Sequence, residues 1–406
     1  MGDDGCLLVF GRLRHRPTRV PLMPTLETTV NGIRFPNPFV IGSGPPGTNA
    51  RVICRAFAEG WGAASAKTVS LDASKIINVA PRYGRLKDAA GEPYGWENIE
   101  LISTMPFQRW LDEYREIKQR FPDRVLIASV MEEYNKDAWF EIIGRCEEAG
   151  VDMFECNFSC PHGLPERKMG SAMGEDPTVL AEVCGWVRQA TQKPVWAKMT
   201  PNVTRIEDPS HAALAAGLDG ISAINTIRSV IGVDLNTLRP LPTVEGYSTA
   251  GGYSCKAIKP IALRMNMEVA SLIRQSFPDR TLSGLGGIES GDDAAEFILL
   301  GAHTVQVCTG VMKHGYELVR KMTDQLLAFM DQHGFDTVDQ FRGHALPYFT
   351  THADLVARQA AAKAATKAER QAAKARAAKG LAKGITADEH WDEDQFVQQS
   401  DALVGN

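Results

Sequence analysis

The stretch Glu147-Glu-Ala-Gly-Val-Asp152 closes one amphipathic segment, Trp139–Ala149, and opens a short apolar run, Met153–Asn157. The same joint recurs at Ala215-Ala-Gly-Leu-Asp219 and Leu299-Leu-Gly-Ala-His303. At each, a glycine able to take a positive φ ends a helix and the chain turns into a buried strand. Outward from these joints, apolar runs alternate with helical segments from about residue 37 to 335. The candidate strands are Phe39–Gly42, Ala63–Val69, Val125–Val130, Met153–Asn157, Val195–Met199, Gly220–Ile224, Thr281–Leu285 and Thr304–Val307. Amphipathic stretches Thr178–Thr191, Ala212–Ala216 and Asp292–Leu300 lie between several of them. Near-continuous apolar strands separated by helices call for a parallel sheet. Eight such units in roughly 300 residues fit an α/β TIM (β/α)8 barrel. A doubly wound sheet is the alternative.

The chain of 406 residues is 44% apolar and 23% charged, with a net charge of −5. That balance offers no basic field for nucleic acid and no polybasic membrane patch. No apolar run approaches the roughly 18 residues needed to cross a bilayer. The eight cysteines are scattered, without a Cys-x-x-Cys pair. This argues against a zinc ribbon or an iron–sulfur cluster held by this chain alone, and for reduced thiols in a cytoplasm. No metal site is expected.

Three regions are expected: an N-terminal extension (1–24) without fixed structure, a barrel domain (25–350) and a helical, charged tail (351–406). In the first, the run Cys6–Phe10 is too short for a signal-peptide core. Asp3 and Asp4 argue against a transit peptide, and Met23 offers an alternative start. In the tail, Asp354–Lys379 is rich in Ala, Lys and Arg and reads as a helix. Acidic residues follow, among them Asp388, Glu389 and Asp392, with Trp391 and Phe396. The tail reads either as a solvated helix with a loose end or as a docking arm for another subunit.

Barrel chemistry sits at the C-terminal ends of the strands. The second strand ends in Lys67-Thr68, and the fourth runs into Asn157-Phe-Ser159-Cys160-Pro-His162. Lys198, Asn225-Thr226, Gly286-Gly287 and Cys308-Thr309 close the next four. Each alone reads as a cap or a turn. Together they are a functional rim. Lysine is seldom buried without a partner, so Lys67 and Lys198 imply an anion between them. Gly286-Gly287, with Ser290 opening the next helix, and Thr309-Gly310 suit a phosphate, which barrels commonly hold after strands seven and eight. Flavin mononucleotide, FMN, meets both demands: it has one phosphate, and its reduced ring is stabilised by a cation near the pyrimidine end.

Ile41-Gly-Ser-Gly-Pro-Pro-Gly-Thr-Asn49 contains a literal Gly-x-Gly-x-x-Gly. A dinucleotide turn needs backbone N–H donors where Pro45 and Pro46 have none, and an acidic residue at the end of the following strand. That strand ends in Lys67-Thr68 instead. The loop reads better as small backbone, at Ser43 and Gly44, against which a flat ring lies.

Asn157-Phe-Ser-Cys-Pro-His-Gly163 resembles the Asn-x-Ser-Cys-Pro signature of class 1 dihydroorotate dehydrogenases and dihydropyrimidine dehydrogenases. Cys-Pro-His is similar to the latter; class 1 dihydroorotate dehydrogenases typically show Cys-Pro-Asn. The resemblance covers about residues 25 to 350. It includes Phe35-Pro-Asn-Pro-Phe39, Ala66-Lys67-Thr68, Asn98-Ile-Glu100, Lys198-Met-Thr-Pro-Asn202, Ala257-Ile-Lys-Pro-Ile-Ala-Leu263 and Gly286-Gly287-Ile288. The chain is similar to the catalytic subunits of bacterial NAD-dependent dihydropyrimidine dehydrogenases. The resemblance implies an FMN barrel that reduces uracil and thymine in pyrimidine catabolism, with hydride from the flavin to C6 and a proton from Cys160 to C5. It assigns Asn98, Glu100, Asn157, Asn225 and Thr226 to the pyrimidine edges. Lys67, Thr68, Lys198, Gly286, Gly287, Cys308 and Thr309 fall to the flavin. Ser159 is grouped with the substrate residues, and His162 orients substrate, tunes the thiol or is a plain loop histidine.

The chemistry is reasonable in its own right. Amide side chains pair with carbonyl and N–H groups alike, Glu100 accepts from a ring N–H, and a thiol with an ordinary pKa of about 8.5 is a usable acid at neutral pH. Pro161–Asp176, with three glycines among Glu166, Arg167 and Lys168, reads as a lid or as an ordinary loop. The chain departs from the family where iron–sulfur cysteines are missing and where Cys255 stands in place of a frequent Gly near the flavin phosphate. Electrons would therefore arrive from an NADH-oxidising partner subunit carrying iron–sulfur clusters and FAD, and an oligomer is expected. A dihydroorotate dehydrogenase and a catalytically silent flavin-binding partner are the alternatives. The net charge opposes a fourth chemistry, dihydrouridine formation on tRNA.

Overall fold

The computed structural model describes residues 24–160 and 169–364. The N-terminal extension to residue 23, His162 and the tail beyond residue 364 lie outside the described residues.

Eight parallel strands form a closed barrel. In chain order they are β1 (Phe39–Ile41), β2 (Ala63–Ser65), β3 (Val125–Val130), β4 (Met153–Phe158), β5 (Val195–Met199), β6 (Gly220–Ala223), β7 (Thr281–Leu285) and β8 (Thr304–Val307). Closure is made by β8 on β1, with Val305 opposite Phe39 and Val307 opposite Ile41. The doubly wound alternative is thereby excluded. Seven strands begin and end within one residue of their expected bounds. The exception is β2, which leaves the ladder after Ser65; beyond it the pairing survives as an isolated bridge between Val69 and Val130.

The three joints behave as their sequence predicts. Gly150, Gly217 and Gly301 take φ of +88°, +100° and +102°. The polar residue two positions later has a further role. Asp152 accepts the backbone N–H of Leu126 (2.7 Å), Asp219 that of Val195 (2.9 Å) and His303 Nδ1 that of Leu282 (3.2 Å). So the residue leading into β4, β6 and β8 pins the entry of the preceding strand, satisfying a donor at the strand start. Asp152 and Asp219 are themselves held by Lys118 and Arg188, each at 2.7 Å.

A hairpin, Thr28–Val30 with Ile33–Phe35, plugs the N-terminal end of the barrel. Val30 and Phe35 pack with Val40, Ala63, Val125, Ile127, Met153 and Trp196. The Trp196 ring stacks on Phe35 at 6.5 Å, and its Nε1 donates to Asn31 Oδ1 at 2.9 Å.

Two insertions build a second sheet that sequence reading does not find. Tyr83–Lys87 and Pro93–Asn98 follow β2; Ile227–Ser229 and Gly251–Ser254 follow β6. They form one antiparallel sheet in which Gly252 faces Asn98. The pairing joins segments over 150 residues apart, and neither insertion shows the apolar alternation that marks a strand locally.

The described residues from His344 belong to a unit separate from the barrel, whose unit ends at Gly343. Within it, the helix expected from Asp354 starts at His352 and is described to Ala364; Thr351 Oγ1 accepts the N–H of Asp354 at 3.2 Å.

His303 supplies a test of the joints. Burial, with the charge of Arg342, lowers its pKa to about 3. An unfolded histidine titrates near 6.5, so below that value the unfolded chain binds a proton that the fold refuses. The stability tied to this site is complete above about pH 6.5 and is lost as pH falls toward 3. His303→Asn keeps an acceptor for Leu282 but cannot titrate. It is expected to flatten the dependence of Tm on pH between pH 6.5 and 4; an unchanged slope would refute the assignment.

Candidate functional site

A cleft opens at the C-terminal ends of the strands, beside the second sheet. Its empty space, including that continuous with solvent, is about 1070 Å³, at the top of the ~300–1,000 Å³ range of small-molecule pockets. Of the residues singled out in the sequence, Ser43, Gly44, Lys67, Thr68, Asn98, Glu100, Asn157, Cys160, Lys198, Asn225, Thr226, Gly286, Gly287, Cys308 and Thr309 all line it. Ser159 does not; it is buried behind the wall. His162 lies outside the described residues.

Beneath the cleft lies a buried carboxylate that sequence reading missed. Glu155, on β4, is fully buried. Five groups converge on it: Ser43 Oγ (2.9 Å), Ser65 Oγ (3.1 Å), Ser222 Oγ (2.9 Å), Gln306 Nε2 (2.7 Å) and Lys198 Nζ (3.4 Å). Lys198 also donates to Ser43 Oγ at 2.8 Å. Burial alone pushes the Glu155 carboxyl up. Lys198, then the bonds from Gln306, Ser222 and Ser43, outweigh it and hold the group below its ordinary value. Its sequence signal was a period of two: Glu155, Asn157 and Ser159 alternate with apolar neighbours, so they share one face of the strand.

The second lysine has its own partner. Lys67 Nζ lies 3.2 Å from Glu100 Oε2, which also accepts from Tyr83 OH at 2.5 Å, and Arg82 stands 3.6 Å from the other oxygen. Sequence reading did not foresee that each lysine has a carboxylate partner within the chain. Each ammonium is balanced by a separate carboxylate of the chain.

A line of hydrogen bonds crosses the cleft wall above Glu155. Asn157 Nδ2 donates to Thr68 Oγ1 (2.9 Å), which bonds Ser129 Oγ (2.8 Å). Ser159 Oγ donates to Asn157 Oδ1 (2.8 Å) and accepts from Asn225 Nδ2 (2.7 Å). Asn225 Oδ1 accepts the Thr226 N–H (2.8 Å). Ser159 thus orients two cleft amides without reaching the cleft. On the facing sheet, Asn98 Nδ2 donates to the Gly252 carbonyl at 3.2 Å.

Cys160 is 7% exposed and packs with Ile76, Ile102, Met131 and Met169. Its carbonyl accepts the Ser171 N–H at 3.1 Å. The described part of the expected lid, residues 169–176, is packed rather than loose. A Cβ on Gly170 would lie 2.7 Å from the Cys160 carbonyl oxygen, and one on Gly174 would collide with that of Phe158.

At the far end of the cleft, Gly286 and Gly287 take φ of +134° and +76°. Cβ atoms there would stand 2.5 Å from Ala262 Cβ and 3.0 Å from the Cys255 carbonyl oxygen. Ser290 caps the helix Gly291–Leu299, accepting from the Asp293 N–H at 3.1 Å. Cys255 holds φ +80°, ψ −166°, a region that favours glycine. Cys308 faces the loop after β1, and burial, opposed by Lys198 and Lys67, pushes its thiol up to about 11.

This arrangement fits FMN. Gln306 Oε1 is buried at the cleft wall without a partner, an acceptor for a ring N–H. Lys198 shares the Glu155 carboxylate with it, Lys67 lines the same cleft, and the Gly286-Gly287 backbone, also on the cleft wall, suits a phosphate.

The dihydroorotate dehydrogenase family model matches residues 25–330. The chain is 55% identical over 404 residues to the chloroplastic dihydropyrimidine dehydrogenase (NADP(+)) of Arabidopsis thaliana, covering 96% of this chain and 92% of that one. It is 40% identical over 324 residues to the NAD-dependent dihydropyrimidine dehydrogenase subunit PreA of Escherichia coli K12, covering 80% and 77%. A crystal structure of dihydroorotate dehydrogenase with ferulenol from Eimeria tenella shares the fold, with a TM-score of 0.65, 21% identity and coverage of 79% and 88%.

Gly44 tests the packing of the cleft wall. A Cβ there would sit 2.5 Å from Cys308 Sγ. Gly44→Ala is expected to destabilise by ~1–3 kcal/mol through overcrowding. Adding Cys308→Ala should restore most of that loss in chemical denaturation, and strictly additive effects would disprove the contact.

Proposed function

We propose, for a chain that belongs to the dihydroorotate dehydrogenase family, that it is the FMN-dependent pyrimidine-reducing component of a dihydropyrimidine dehydrogenase. Its substrates are uracil and thymine, reduced to their 5,6-dihydro forms in pyrimidine catabolism. One observation carries the choice of substrate. Among the described residues lining the cleft, the cationic side chains are Lys67 and Lys198, and each already faces a carboxylate. Orotate brings a carboxylate of its own, which would be left without a cation and opposed by Glu100. A neutral ring meets no such cost. The 55% identity to a dihydropyrimidine dehydrogenase supports the same reading.

The roles follow from chemistry. Bound FMN supplies two electrons as hydride, directed to C6 of the ring. Cys160 gives its thiol proton to C5, and the resulting thiolate recovers a proton from solvent, so the ring gains two electrons and two protons in all. Asn157 and Asn225, held by Ser159, and Asn98 present donors and acceptors to the pyrimidine edges, and Glu100 accepts from a ring N–H. Lys67 and Lys198 hold positive charge toward the flavin, and the Gly286-Gly287 and Thr309 backbone receives its phosphate. The electrons originate in a reduced nicotinamide dinucleotide and reach this chain through a partner protein. NADH is supported by the Escherichia coli relative and NADPH by the plant one. None of the seven described cysteines forms a disulfide, which suits a reducing compartment such as the cytoplasm.

Cys160→Ala is expected to purify with flavin absorbance intact while losing ~10²–10⁴-fold in uracil turnover. Full turnover in that variant would remove Cys160 from the mechanism. In the same assay the wild type should reduce uracil and leave orotate and dihydroorotate essentially untouched; preference for either acid would reverse the substrate assignment.

A further inference from the structure

We propose that Glu155 is a positioning residue that tunes the bound flavin: by balancing the charge of Lys198, it keeps the reduced cofactor from being over-stabilised. The inference rests on the flavin reading above and assigns a task to a residue that reading leaves unused.

Packing alone does not call for this carboxylate. Barrel interiors are ordinarily filled with branched apolar side chains, and a buried ion pair replaced by well-packed apolar residues is often neutral or stabilising. Here instead the chain collects three hydroxyls, an amide and an ammonium around one buried charge. Three of those five groups, Ser43, Lys198 and Gln306, also line the cleft. The network therefore faces both ways: inward to Glu155 and outward to whatever occupies the cleft.

The sign of the effect follows from charge. The fully reduced flavin carries a negative charge near its pyrimidine end, so a lone ammonium there favours the reduced form and makes it a weaker reductant. Glu155 lies 3.4 Å from Lys198 Nζ, and the two share Ser43 Oγ, which donates to the carboxylate and accepts from the ammonium. In this low-dielectric setting the pair presents a small dipole instead of a full positive charge. Lys198, 4% exposed, has little water to screen it, so its carboxylate is the chief counterweight. A flavin that must pass electrons to a pyrimidine benefits from that restraint.

Glu155→Gln removes the charge and keeps the shape. The expected result is a more positive midpoint potential, with the reduced-to-oxidised ratio at fixed potential rising about tenfold, equivalent to about 30 mV for a two-electron couple. Uracil turnover should fall while flavin reduction by the electron donor does not. Glu155→Asp withdraws the charge without deleting it and should shift the potential in the same direction by less, which covers the case in which the Gln variant does not fold. A purely structural role predicts a lower Tm with the ratio moved by less than about twofold, and that result, or a more negative potential, overturns the inference alone. A wild-type protein that retains no flavin overturns the functional reading and this inference with it.

Discussion

An ionised carboxylate sealed inside a barrel is the constraint on which the rest of this structure turns. Without water, Glu155 has to find its donors in the protein, and losing one partner of such a buried pair typically costs ~3–5 kcal/mol. The donors come from the loop after β1 and from β2, β5, β6 and β8. Five segments must therefore present a polar side chain inward at one level. Below that level the barrel is apolar and closed by the Val30–Phe35 hairpin; above it the cleft begins. The polar layer divides a stabilising half from a chemical half, which is the division parallel barrels show between their two ends.

The barrel itself is written locally and so could be read. Each strand is a short buried run, each return carries a glycine, and the joints repeat. The cleft rim was readable for the same reason, because barrel geometry assigns strand ends to one face. What was not readable lay one residue pair deeper. Ser65 precedes Lys67, Glu155 precedes Asn157 and Gln306 precedes Cys308, each by two positions and each beneath a residue that was noticed, while Ser222 joins the same layer from β6. Period-two reasoning applied back from the strand ends would have found them. The second sheet had no comparable signal, since its partners are joined only through tertiary contact.

Charge pairing could not be read from composition or spacing either. Two lysines at successive rim positions invite the idea of one shared anion. The fold separates them instead, giving Lys67 to Glu100 from one insertion and Lys198 to Glu155 from β4. The formal charges of the four groups cancel. On the proposed reading such a cleft would select by hydrogen-bond pattern and shape rather than by net charge, and its amides are held in one hydrogen-bonded line from Ser129 to Thr226.

The glycine spacing at residues 42–47 shows how one pattern can have a different cause. In a dinucleotide turn the glycines admit a pyrophosphate that sits on a helix N-terminus. Here Gly42 and Gly44 face Cys308 on the β8 side, and Gly47 lies against the Ser65 carbonyl on the β2 side, where a Cβ would approach to 2.9 Å. The small residues are demanded by neighbouring strands of the barrel. The helix that follows, Ala50–Glu59, has its first N–H groups already satisfied: Asn49 Oδ1 accepts from Val52 at 3.1 Å, and the Glu113 carboxylate accepts from Ala50. An acidic side chain at that terminus answers its dipole from within the protein. A phosphate there would have to displace it against like charge. The motif is thus a steric consequence of a loop threaded between two strands, and the phosphate proposed for this chain is assigned to the other side of the cleft, which Gly286 and Gly287 line.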